Sequence, residues 1–181
     1  MQYLSGLNNL EDINEFQTRW KAYYQYLEEI SGYLPTEARY FAQAGWHWDH
    51  IDHRCPHDSW LETLEIKEYP TNNADRRRRV DIHLLLLGPY HDGYISLYYP
   101  DVRCYRVGTF ESNPKDSGNC SLEGHGDWLI DEIVLSKDGY PVHEIQFDSC
   151  ELNWYIEAHN IVYEWRPIQG EACSLDRMRE V

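Results

Sequence analysis

Apolar residues recur along this chain first with a helical period and then with a period of two. Leu10, Ile13, Phe16, Trp20, Tyr23, Tyr24, Leu27 and Ile30 fall on one stripe at steps of three and four, which predicts an amphipathic helix over 10–30. Asn8 or Asn9 is placed to cap it, Glu11, Asp12 and Glu15 suit the positive end of its dipole, and Gly32 follows as a stop. The stripe is expected to pack on a sheet. A second, shorter helix is predicted over 36–44, with Thr36 as its N-cap, Pro35 before it and Gly45 after it.

From Trp60 onward the period changes. Val80, Ile82, Leu84 and Leu86 alternate with Asp81 and His83, and Gly88-Pro89 ends that strand. Further strands are predicted over 93–99, 102–107, 127–135, 141–147, 153–157 and 161–165, with Asp138-Gly139 suited to a tight hairpin turn. Short strands joined by short turns argue for an antiparallel meander, because parallel pairs need crossovers of about a dozen residues or more. The expected fold class is α+β. N-terminal helices (about 8–45) pack against a mainly antiparallel β-meander sheet (about 57–167), within a single domain over 1–181. Residues 108–126 read as the longest loop, and 168–181 carry little pattern.

Charge narrows the function. The 31 Asp and Glu against 16 Lys and Arg give a net charge of −15, a field that repels phosphate backbones and argues against nucleic acid as a partner. The same field steers basic partners inward and keeps the chain soluble. No run of 18 apolar residues occurs, so no membrane span is expected. The start, Met1-Gln2-Tyr3-Leu4-Ser5-Gly6, lacks the basic and apolar regions of a signal peptide. Cys55, Cys104, Cys120, Cys150 and Cys173 are odd in number and form no CxxC pair, which fits reduced thiols and a cytoplasmic location.

The densest candidate chemistry lies between Trp46 and Asp58. His47, Asp49, His50, Asp52, His53 and His57 supply the imidazole and carboxylate ligands that a transition metal such as zinc accepts, and a loop could gather several of them. Their order departs from the His-x-His-x-Asp-His pattern of the metallo-β-lactamases. The plain alternative is a polar loop whose side chains satisfy nearby backbone. His143-Glu144 resembles the start of a zincin motif, but Phe147 stands where the second His is required. Glu132, Glu144, Glu157 and Glu164 offer carboxylates with no pattern that pairs them. Arg76 to Arg79 read as a solvated cluster or as gatekeepers before a strand. There is no GxSxG, P-loop or GxGxxG, and no local signature around any cysteine.

One resemblance adds to this. The stretch His57-Asp58-Ser59-Trp60-Leu61-Glu62-Thr63-Leu64-Glu65-Ile66, the strand near Val80, and Gly93-Tyr94-Ile95-Ser96-Leu97 with Asp101-Val102 carry its first part. Asp127-Trp128-Leu129-Ile130-Asp131-Glu132-Ile133, His143-Glu144-Ile145-Gln146-Phe147, Ile156-Glu157 and Ile161 carry its second. Over roughly 57–166 the chain is similar to small bacterial families of unknown function with a β-meander, some of them immunity-like proteins encoded beside toxins. The resemblance brings no catalytic residues with it. It implies a non-enzymatic cytosolic protein that neutralises a basic toxin partner through an acidic, aromatic-rich surface. A metal-binding protein or metal-dependent enzyme built on the His/Asp loop is the alternative, and a subunit of a homo-oligomer is a third reading.

Overall fold

The computed structural model describes residues 1–4, 13–70, 78–108, 124–150 and 152–168. Among these residues two helices, α1 (Ile13–Ile30) and α2 (Thr36–Ala42), precede eight strands: β1 (Trp60–Pro70), β2 (Arg78–Leu87), β3 (Gly93–Tyr99), β4 (Cys104–Arg106), β5 (Trp128–Leu135), β6 (Pro141–Phe147), β7 (Trp154–Glu157) and β8 (Val162–Pro167). The protein is therefore mostly β. Every strand pairing is antiparallel, but the strands do not form one meander. They divide into two four-stranded sheets, ordered β1-β2-β3-β8 and β4-β7-β6-β5. The return of β8 to the first sheet, beside β3, separates them. The expected Asn8 or Asn9 cap, Leu10, Glu11, Asp12, Arg76, Arg77, Cys120, Cys173 and most of the 108–126 loop lie outside the described residues.

Alternation explains the core. In the first sheet Ile82, Leu84, Leu86, Ile95, Leu97 and Tyr99 point inward and are fully buried. In the second sheet Ile133, Ile145, Phe147, Trp154 and Ile156 do the same, and both sets join one cluster with Tyr23, Leu27, Ile30, Leu34 and Phe41 of the helical part. Burial on this scale supplies the driving force, at about 1.5–3 kcal/mol for each large side chain. Gly88 and Gly93 make room for the Trp165 indole, since a Cβ on Gly93 would lie 2.1 Å from that ring.

A bulge in β5 places the polar core. Trp128 pairs with Phe147, but the register slips between Trp128 and Ile130, so Asp131 pairs with Ile145 and Ile133 with His143. The extra residue turns Asp131 toward the other sheet and Glu132 away from it. On that outer side Glu132 accepts the backbone N–H groups of Tyr3 and Leu4 at 2.9 Å each, and that of Gln2. Glu144, its cross-strand partner, faces the Met1 amino group.

The helices depart from expectation in two ways. Only the C-terminal half of α1 packs as the stripe implied: Tyr23, Leu27 and Ile30 are buried, whereas Ile13, Phe16 and Tyr24 are exposed. Phe16 and Trp20 border a small cavity beside the loop after α2 instead of packing on the sheet. Thr36 is not the N-cap of α2; Pro35 holds that position and makes no side-chain cap. Asn160, from the turn before β8, caps instead, accepting the Ala38 N–H at 3.2 Å and donating to Glu37 at 2.9 Å. Cap residues supply an acceptor wherever the chain brings one near, not only from the preceding position.

Candidate functional site

The His/Asp loop scatters instead of converging. Its six candidates occupy five separate settings. His47 is buried, with its ring stacked between Phe41 (4.0 Å between centroids) and Trp48 (4.0 Å). Asp49 accepts the Ile51 N–H at 3.2 Å, a local turn contact. Asp52 accepts the Arg54 N–H at 2.9 Å and two guanidinium bonds at 2.8 and 2.6 Å. The Arg54 hydrogen bond holds the Asp52 carboxyl down to about 2. His53 stacks on Tyr90 at 4.2 Å and pairs with Asp92 at 2.6 Å.

His50 and His57 do meet. Their rings stack at 3.9 Å and 10°. His57 donates through Nδ1 to the Leu129 carbonyl at 2.7 Å, and its Nε2 lies 3.2 Å from Asp58. Burial, followed by the neighbouring His57 charge, lowers the His50 pKa. The pair borders a cavity of about 60 Å³ that is also lined by Phe16, Trp20, Trp48 and Asp131. Among the described residues no three His, Cys, Asp or Glu side chains are placed to hold a metal ion.

The chemistry that the fold gathers lies deeper, around a residue the loop does not contain. Asp131 Oδ2 accepts from His47 Nε2 and from His143 Nε2, both at 2.9 Å. Its Oδ1 accepts the Trp128 indole N–H at 3.0 Å. The ring of His47 also faces the Phe41 carbonyl through Nδ1 at 3.0 Å. Both of its nitrogens thus face acceptors. His143 receives the Tyr99 hydroxyl at Nδ1, 2.8 Å away, and is the neutral tautomer protonated at Nε2. Each polar side-chain atom of this buried network has a partner.

Energetics agree with that assignment. Burial by itself pushes the Asp131 carboxyl up, but the His47 charge and the hydrogen bonds from His143 and His47 outweigh it and hold the carboxyl well below the usual range. Burial lowers the His143 pKa despite Asp131, and raises the Tyr99 phenol far above its ordinary value. Buried charges survive only when paired and hydrogen-bonded in this way. Asp131, His47 and His143 are at most 2% exposed, and the network ties the loop after α2 to β5, β6 and β3; His47 and Asp131 also border the small cavity beside His50 and His57. Cys55 is sealed likewise: its thiol donates to the His47 carbonyl at 3.0 Å, and burial pushes it up to about 12. A thiol that stays protonated is a poor nucleophile.

The carboxylates considered for acid–base work are spoken for. Glu132 and Glu144 hold the N-terminal residues, Glu157 lies 3.6 Å from Arg103, and Glu164 pairs with Arg166 at 2.6 Å. The two strand residues that matter most, Asp131 and His143, are 12 positions apart and are joined only by the β5–β6 register.

The outer face of the β1-β2-β3-β8 sheet is different. The register sets Glu65, His83 and Tyr98 in one row across it, and Lys67 beside Asp81 in the next. A pocket of about 310 Å³ opens there, lined by Glu65, Lys67, Asp81, Ile82, His83 and Tyr98. Asp81 accepts the Tyr69 hydroxyl at 2.7 Å, the Tyr98 hydroxyl, and the Asp101 N–H at 2.9 Å. The bond to Asp81 raises the Tyr98 phenol to about 12. Burial would raise the Asp81 carboxyl, yet those donors hold it below its ordinary value. Tyr69, Tyr94 and Tyr98 thus stand on one open face, each 37% exposed, and two of them are anchored.

Compared with known proteins, the chain matches no family model, no curated sequence and no solved structure.

Proposed function

We propose that the protein is a non-catalytic binding protein that takes a basic protein partner on the open face of the β1-β2-β3-β8 sheet. An immunity-type role, neutralising a basic toxin, is the form of this reading that the sequence resemblance supports. The observation that carries it is the anchored tyrosine pair. Tyr69 and Tyr98 share the Asp81 carboxylate on a face that no described element covers, so their rings are held before any partner arrives. Rigid aromatic anchors lose little conformational entropy on binding, which is why Tyr is favoured at interfaces.

Charge and anchoring divide the work. The acids of this face are already engaged: Glu65 with Lys67, Asp101 with Arg79, and Glu164 with Arg166. Attraction of a basic partner therefore comes from the −15 net charge of the whole molecule and governs the encounter rate. Tyr69, Tyr94 and Tyr98 govern the lifetime of the complex. Co-purification of the native protein beside its Tyr69→Ala/Tyr98→Ala variant tests this. A basic partner should follow the first and be lost from the second.

The metal alternative keeps one observation, the stacked His50 and His57 beside a small cavity. Zinc retained in equimolar amount and lost in His50→Ala would favour it.

A further inference from the structure

The long edge of the first sheet is self-complementary, and we infer that a second copy of this chain pairs with it. β1 hydrogen-bonds to β2 on one side. On its other side, among the described residues, only its first residue is engaged, through the bridge between Trp60 and Asp127. From Glu62 to Pro70 most positions are exposed, including the large side chains of Ile66 and Tyr69. An unpaired row of backbone groups of this length is a template for another strand.

The sequence of β1 decides which strand fits. A two-fold axis through Ile66 runs two copies antiparallel, so residue numbers across the seam sum to a constant. Ile66 then meets Ile66 of the second copy. Lys67 meets Glu65, and Glu65 meets Lys67, on the outer face of the joined sheet. Tyr69 lies opposite Thr63 on the same face. In a single copy Lys67 already reaches Glu65 at 2.8 Å along its own strand, so both groups sit at the edge with charges ready to exchange partners. Opposite charges directly across an antiparallel pair stabilise it, and like charges oppose it. A shift of the axis by one residue, to Glu65 or Lys67, would put like charges on each other. The pocket beside Asp81, whose β1 wall is Glu65 and Lys67, becomes interior to an eight-stranded sheet instead of lying at its rim.

This inference is independent of the partner reading, and its test uses the purified full chain alone. Sedimentation equilibrium over a concentration series should show monomer passing to dimer. Lys67→Glu places Glu on Glu twice and should weaken the dimer about tenfold; Glu65→Lys should do the same with Lys on Lys. Lys67 is exposed, and Glu65, though half-buried, keeps its side chain open to solvent, so neither change threatens folding. Mixing the two variants should restore association as a heterodimer, and the double swap should restore the homodimer. Ile66→Cys should form a disulfide across the axis, because directly opposed strand residues fall within the separation a disulfide spans. A monomer at every concentration, or a dimer indifferent to the charge reversals, would overturn the proposal.

Discussion

The Tyr23 hydroxyl of α1 accepts the Ile133 backbone N–H of β5 at 2.6 Å. β5 is an edge strand, and its outward N–H groups need partners once they are buried. One helical turn further on, Tyr26 does the same for the Leu135 N–H at 2.9 Å. Two phenols three residues apart on a helix thus cap alternate residues of a strand, which explains why α1 is fixed at the sheet edge. Tyr23→Phe should cost about 1–3 kcal/mol, the penalty for leaving a buried donor without an acceptor. Tyr26→Phe, half-exposed, should cost less. Urea denaturation measures both, and faster amide exchange at Ile133 locates the first.

Asp131→Asn should be the most damaging isosteric change in the core. It removes the carboxylate on which the His47, His143 and Trp128 hydrogen bonds converge, and it turns one side of the group into a donor facing other donors. Removing one partner of a buried pair costs about 3–5 kcal/mol. A loss under about 1 kcal/mol in the same unfolding experiment would mean that the network contributes little net stability.

Stability should fall in two steps on acidification. His143 has a lowered pKa in the folded state, so below about 6.5 the unfolded chain binds a proton that the native chain refuses. Its contribution is therefore whole above that value and is lost as pH falls beneath it; His50 and His125 shift in the same direction. Asp131 is depressed as well, so its contribution is present above the unfolded carboxylate value of about 3.9 and is lost below it. Urea midpoints between pH 8 and pH 5 should decline in the native sequence. They should decline less in His143→Gln, which keeps a donor toward Asp131 but does not titrate.

Gly93→Ala should displace the Trp165 ring, because the added methyl would overlap it. Overpacking of this kind costs about 1–3 kcal/mol. Trp165→Ala should remove the clash, so the double variant should lose less than the two single losses added together. Thermal unfolding of the four proteins completes that cycle.

Much of the fold was legible because alternation survives burial. β3 and β6 begin and end at the residues where the pattern, Gly93-Tyr94 and Pro141-Val142, starts and stops. The C-terminal half of α1 packs as its stripe implies, while the exposed Ile13 and Phe16 show that periodicity cannot say how far a supporting surface extends. The division into two sheets was not legible, since pairing of β8 with β3 is a long-range choice that local pattern does not encode. The polar core was hidden for a sharper reason. One bulge between Trp128 and Ile130 reverses the faces of the residues after it, so Asp131, which alternation from Trp128 would place outside, goes in. Of the loop candidates His47 alone joins that core, and nothing in its spacing distinguishes it from His50 or His53. The composition of 46–58 announced hydrogen-bonding capacity but not its partners; the Asp131 that meets His47 lies 84 residues away on β5.

The claim that this is a binding protein for a basic partner is tested most directly by co-expressing the tagged chain with the genes that neighbour its own, then identifying what purifies with it. The account predicts a stoichiometric basic protein, retained by the native chain and lost from Tyr69→Ala/Tyr98→Ala, with an association rate that falls as salt rises. A chain that purifies alone, or a partner indifferent to both tyrosines, would contradict it.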